Sequence, residues 1–429
     1  MSCPCEAEYS QNPTELPCTQ HAAWGLEPVA FRGKPIPMKR AVVAGFMSTC
    51  PIAGVVWQHI HYLLGLKSLG WDVTYIEDSA RHPYNAVTFE SGEEAIPHAV
   101  AVTKGLAERF GFRWAYRARF TEPMKVFGDL DAAGIARAFA EADLTLNLCG
   151  AQELHDEVLK SRCLVYVESD PGVEQIKLDK GVADTAAYLR AHRALFTFGE
   201  KVGKKGCPLP TGGLTWLPTR QPVACDLWEA PPAKTGTPLR FTTIANWETK
   251  GKDIAWKNQV YYWSKTFEFL KFSDTPRAVG KDGVEWELAT DMSRDPASKE
   301  LFERQGWRLV SPHGLSTDFD SYLRYIQGSS AEWTVAKDQY VRLKTGWFSD
   351  RTACYLAAGR PAITQDTSFD GAIPTGKGLF AFRSVADIRA AVEAIASDYA
   401  GQCRAAREIG REYFEAKKVV GAMIERLGV

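Results

Sequence analysis

Residues 346–366, GWFSDRTACYLAAGRPAITQD, read as a loop, a helix and a strand in quick succession. Ser349 suits the N-cap, because its hydroxyl can accept a hydrogen bond from an amide of the first turn. Apolar side chains follow at helical spacing as far as Ala358, Gly359 ends the helix, and PAITQ begins a strand. A helix set between strands in this way belongs to a parallel α/β sheet, with its free amides at the cleft. The apolar face is what packing demands. The charged neighbours Asp350 and Arg351 in the first turn are not, and they mark the stretch as a candidate site.

The same alternation runs outward in both directions. In the first half RAVVAGF (40–46) is a short β-branched run. After it, Val56, Ile60, Leu63, Leu64 and Leu66 recur at helical spacing, Gly70 stops the helix, and WDVTYIED is the next strand. A helix over 131–143 and strands over 144–150, 163–170 and 194–200 continue the series, with the helix QELHDEVLKS between two of them. Composition shifts at 219–238, where TRQPVACDLWEAPPAKTGTP carries four prolines, and a second series starts. It comprises a strand at 239–247, a helix over 254–270, strands VEWELAT and WRLV, a helix at 317–326 and a strand at 331–336. The opening stretch and two or three C-terminal helices complete it. The pattern predicts an α/β protein of two Rossmann-like, doubly wound parallel-sheet domains facing across a cleft. The expected divisions are a flexible leader (1–38), an N-terminal domain (39–220), a linker (221–238), a C-terminal domain (239–404) and a last helix (405–429) crossing back to the first domain.

Composition limits the function. At 429 residues the chain is long for a single core. Fifty-one basic against fifty-two acidic side chains leave no basic excess for a nucleic-acid partner. No apolar run reaches the roughly 18–20 residues of a membrane-spanning helix, and the N-terminus lacks the features of a secretory signal. The expectation is a soluble, cytoplasmic protein, with its oligomeric state left open. Cys3, Cys5, Cys18 and His21 cluster near the start, but their C-x-C…C-x-x-H spacing matches no standard zinc finger.

Arg351, Ala357, Gly359 and Pro361 resemble the Arg-x-x-Glu-x-x-Ala-x-Gly-x-Pro signature of GT-B glycosyltransferases, of the family 1-type and spore-coat-maturation groups. SSAEWTVAK (329–337) resembles the strand before the donor loop, and TGKGLFAF (375–382) the Gly-x-Gly turn after it. TIANWETKGKD (243–253) occupies the place of the diphosphate loop. The resemblance implies a GT-B fold and a nucleoside diphosphate sugar donor, UDP or dTDP, with no metal ion and no further cofactor. It departs from the signature where Cys354 replaces the glutamate that grips the donor ribose, and where Asn246 or Trp247 replaces the arginine of the diphosphate loop.

The expected donor site accordingly combines Asn246, Trp247, Lys250 and Lys252 with Gly346, Trp347, Phe348, Ser349, Asp350 and Arg351, and with Gln365 and Asp366. Asp350 is expected to take over the ribose contact. The loop at Cys50, Pro51 and Gly54 is expected to face the acceptor, a small molecule or a glycan. For the catalytic base the candidates are Asp170 at a strand end, His59 in the first helix and Glu332. The pairs Asp129/Asp131 and Asp318/Asp320 precede helices and read as caps. The function expected is metal-independent glycosyl transfer. Its rivals are a nucleotide-sugar epimerase on the same scaffold and a non-catalytic GT-B module that binds sugar or protein.

Overall fold

The computed structural model describes residues 38–231 and 238–429. The leader with Cys3, Cys5, Cys18 and His21, and part of the linker, lie outside the described residues.

The first half builds an eight-stranded sheet from β1 (Arg40–Ala44), β2 (Asp72–Glu77), β3 (Arg113–Ala118), β4 (Lys125–Gly128), β5 (Leu144–Leu148), β6 (Leu164–Glu168), β7 (Ala194–Thr197) and β8 (Trp216–Pro218). Its order is β4-β3-β2-β1-β5-β6-β7-β8. Every pair is parallel except β3 with β4, which closes one edge. The central strands are buried along nearly their whole length, as a parallel sheet covered on both faces requires. In β1, Ala41 pairs with Val73 on one side and Leu144 on the other, so the order reverses there and a crevice opens beyond the strand ends.

The second half contains a hairpin of β10 (Ile254–Trp256) and β11 (Gln259–Tyr261) and a wholly parallel sheet of β9 (Leu239–Ile244), β12 (Val284–Ala289), β13 (Arg308–Val310), β14 (Ala331–Thr334), β15 (Ala362–Gln365) and β16 (Leu379–Phe382). The order β13-β12-β9-β14-β15-β16 is the doubly wound arrangement again, reversing between β9 and β14.

The expected helix over 254–270 is not formed. Lys257 and Asn258 adopt φ of 48° and 59°, which turns the chain back as a hairpin, and the helix begins only at Thr266. Alternation of apolar residues before the turn and a short aromatic run after it mimic helical spacing. The segment QELHDEVLKS likewise yields one turn, Asp156–Leu159.

On the two flanks, separate contacts tie the lobes together. On one flank Trp57 of the helix Ala53–Ser68 stacks on Phe319 at 3.8 Å between ring centroids, and its indole donates to the Phe319 carbonyl. On the other, the indole of Trp256 in the hairpin donates to Asp179 of the first lobe at 2.7 Å. The final helix Ala416–Leu427 packs on Ala53–Ser68, where Gly65 permits the approach: a Cβ there would lie 2.8 Å from Val420.

Candidate active site

The switch points of the two sheets face one another, and the residues just beyond their strands line the space between. From the first lobe come Cys149 after β5 and Ser169 and Asp170 after β6. From the second come Lys337 after β14, Trp263 and Lys265 after the hairpin, and Asp350 at the start of the helix Asp350–Ala357.

Asp170 is the hub. Its carboxylate accepts from Lys337, from the Tyr340 hydroxyl and, at 3.0 Å, from Ser169. Burial alone would raise its pKa, but the Lys337 charge and these three donors hold it below the usual carboxylate range. Lys337 also stands 3.4 Å from the centre of the Trp263 ring, with Lys252 4.9 Å from the same ring. Lys252 is near enough to Cys50, across the cleft, to favour its thiolate, although burial keeps that thiol's pKa high.

Asp350 differs. Its Oδ1 accepts from Gln58 of the first lobe at 3.2 Å, and no other side chain among the described residues donates to its carboxylate. Burial pushes its pKa up to about 7, and the Asp170 charge adds to the effect. Cys149 donates to Ser169 at 3.1 Å, and burial pushes its thiol up to about 12, so it is present as the neutral thiol. Lys265 forms no ion pair among the described residues, and burial with the neighbouring Arg351 charge pushes its ammonium well below the usual lysine range.

Several expected site residues lie elsewhere. His59 is fully buried, donates through Nδ1 to the Val55 carbonyl at 2.8 Å and accepts from the Phe46 amide at 3.3 Å. Burial lowers its pKa to about 4, so it is a neutral core residue without access to an acceptor. Glu332 is equally buried in β14 and paired with Arg351 at 2.7 Å. Arg351 also donates to the Ile244 carbonyl and to Thr334 at 2.7 Å, so it laces the end of β9 to the end of β14. Trp247 is core, bonded to Asp295 at 3.0 Å and stacked on Phe269. Gln365 bridges the Ala336 amide and Glu268, while Asp366 pairs with Arg383.

The loop before Asp350 is a packed interlobe contact. Gly346 sits at φ 72° against Lys201. Trp347 donates to the Ser169 carbonyl at 2.8 Å, and the Phe348 ring stacks on Phe414. Ser349 is the N-cap residue, but its hydroxyl makes no capping bond. Asn246 is exposed and bonded to Thr249, and Lys250 lies 3.8 Å from Glu248. Pro51 is buried beside the half-buried Cys50, and a Cβ on Gly54 would lie 3.4 Å from the Tyr322 hydroxyl. Asp131 and Asp318 cap helices through the Gly134 and Ser321 amides, whereas Asp129 accepts from the Trp114 amide and Asp320 pairs with Arg109.

The residues the sequence did not single out are Gln58, Cys149, Trp263, Lys265, Lys337 and Tyr340. Lys337 could have been found, since it directly follows a strand. Trp263 and Lys265 were hidden by the helical reading of their segment. Away from this cluster, the ligand-type atoms of Asp78, His155 and Glu157 lie within 4.8 Å of one another. Arg117 donates to both carboxylates, so the cation there is a guanidinium.

No family model and no curated protein matches the sequence. Solved structures do match in fold. Anabaena HepE in complex with UDP and glucose superposes with a TM-score of 0.52 at 13% identity, covering 91% of this chain and 99% of that one. An alpha-glucosyltransferase in complex with UDP and a 13-mer DNA containing a HMU base gives 0.54 at 9% identity, covering 91% and 100%. The two lobes therefore have the GT-B fold. Among the described residues no helix is long and apolar enough to cross a membrane.

Proposed function

We propose that the protein transfers a sugar from a nucleoside diphosphate sugar, with UDP or dTDP as the nucleotide, to an acceptor hydroxyl without a metal ion. The donor lies against the second lobe and the acceptor against the first. The observation that carries the reading is the pair Lys252 and Lys337 over the Trp263 ring, with Lys265 near enough to feel the Lys337 charge, at the switch point of the second sheet. Neither Lys252 nor Lys265 forms an ion pair among the described residues, although Glu332 and Asp170 lie near enough to Lys265 to offset part of the cationic repulsion on it. A departing nucleoside diphosphate gathers negative charge, and preorganised cations stabilise it. Lys265, whose ammonium form is disfavoured by burial and by its cationic neighbours, gains an anion to pair with once a phosphate arrives. The UDP held by proteins of the same fold supports the choice of nucleotide.

Isothermal titration with UDP, dTDP, GDP and ADP tests this. One diphosphate should bind more tightly than its monophosphate, and Lys252→Ala should weaken it about tenfold, the scale of one charged hydrogen bond. No binding of any nucleotide or nucleotide sugar would remove the transferase and the epimerase together. Incubation with donor alone separates the two, since only an epimerase converts the sugar while leaving it attached.

A further inference from the structure

We propose that Asp350, rather than Asp170, takes the proton from the acceptor hydroxyl, an assignment that rests on the transferase reading above.

The geometry favours it in two ways. Asp350 is carried by a helix of the second lobe, yet its carboxylate bonds to Gln58 of the first lobe, and Cys149 and Asp170 from the ends of β5 and β6 feel its charge. Its carboxylate is therefore held against the first lobe, the lobe to which the reading above assigns the acceptor. Asp170 already accepts three hydrogen bonds, one of them from an ammonium, and a carboxylate held in that way is a weak base. Asp350 has one side-chain donor, Gln58, besides its own backbone amide, and no ammonium bonds to it.

The groups facing it set its basicity. Burial and then Asp170 raise its pKa, while Gln58, its own backbone amide and Lys337 lower it. Cys149, Tyr62 of the helix Ala53–Ser68 and Cys354 on its own helix complete the ring of titratable neighbours. All three have pKa values raised by burial and stay neutral near pH 7. The result is a carboxyl that changes charge near neutrality, as an efficient general base should.

The step balances without a further reactant. The acceptor oxygen bonds to the anomeric carbon as its proton passes to Asp350. The bond from that carbon to the diphosphate oxygen breaks, and its electron pair leaves with the diphosphate, facing Lys252, Lys265 and Lys337. Attack from the face opposite the leaving group inverts the anomeric centre.

Hydrolysis of UDP-glucose with water as acceptor, followed from pH 5 to 9 together with UDP binding by calorimetry, tests the assignment. The wild-type rate should rise with pH through about 7. Asp350→Asn should lower kcat at least about 100-fold and abolish that limb, with UDP affinity within about twofold of wild type. Asp350→Glu should retain the limb and part of the rate, which guards against a folding defect in the Asn variant. Formate should restore activity to Asp350→Ala. A limb that survives in Asp350→Asn while UDP still binds would overturn the assignment alone. A loss confined to UDP affinity would return Asp350 to the donor site. Failure of the wild-type chain to bind or hydrolyse the donor would remove the transferase reading and this step with it.

Discussion

The ammonium of Lys337 donates to the carboxylate of Asp170, so the segment after β14 in the second lobe is fastened to the segment after β6 in the first. Tyr340 donates to the same carboxylate from one turn further along, and Trp347 stacks on Tyr340 at 4.4 Å while bonding to the Ser169 carbonyl. Interlobe contact and site are thus made of the same residues.

Lys337→Met should cost about 1–2 kcal/mol at pH 7, a value reduced from that of a fully buried pair because Asp170 is partly exposed. The folded-state pKa of Asp170 is depressed, so its contribution is present above the unfolded value near 4 and is lost as pH falls below it. Chemical denaturation at pH 7 and pH 3 should show the gap between wild type and variant closing at the lower pH. A gap that is the same at both would contradict the pairing.

Asp350→Asn should stabilise the protein at pH 8 by about 1–2 kcal/mol. The sign follows from a folded pKa raised to about 7: between pH 4 and 7 the native state binds the proton more tightly than the unfolded chain, so wild-type stability falls as pH rises through that window. Melting curves across the window should be flatter for the variant. This is the expected trade of a site residue, where function holds a charge that folding alone would not choose.

Glu332→Gln should be destabilising by about 3 kcal/mol, because it leaves the Arg351 guanidinium buried with no counter-charge. The loss should appear in urea denaturation, with UDP affinity measured on the folded fraction unchanged. A selective loss of nucleotide binding would bring Glu332 back to the cleft.

Trp256→Phe should cost about 1 kcal/mol through the lost bond to Asp179, and Trp256→Ala about 3 kcal/mol through lost packing as well. If the hairpin straps the lobes, small-angle scattering should report a larger radius of gyration for the Ala variant alone. An unchanged radius would limit the hairpin to local packing.

Gly346→Ala should destabilise by about 2 kcal/mol. Its φ of 72° disfavours any side chain, and a Cβ would stand 2.7 Å from Lys201 Cγ. Equilibrium unfolding of this variant measures how tightly the loop before Asp350 is pressed against the first lobe.

Hydrophobic periodicity and glycine or proline stops are local, so the alternation of strands and helices was legible in the sequence. The sequence also marked Asp350 and Arg351 in the first turn of 346–366, of which Arg351 is accounted for by its packing against Glu332. It did not determine the hairpin at 254–261, where two residues in the left-handed region turn the chain against an ambiguous pattern. Nor did it show which charged side chains reach the cleft. Arg351 and Glu332 are indistinguishable in sequence from residues free to meet a ligand, yet they pair with each other at the ends of β9 and β14. Lys337 and Asp170 lie 167 positions apart and meet only because the carboxyl ends of β14 and β6 are brought together. Burial, the spacing of charges and the sharing of hydrogen-bond donors are properties of the assembled lobes. They decided that Asp170 is held ionised while Asp350, a short side chain in the first turn of a helix, is left to titrate near neutrality.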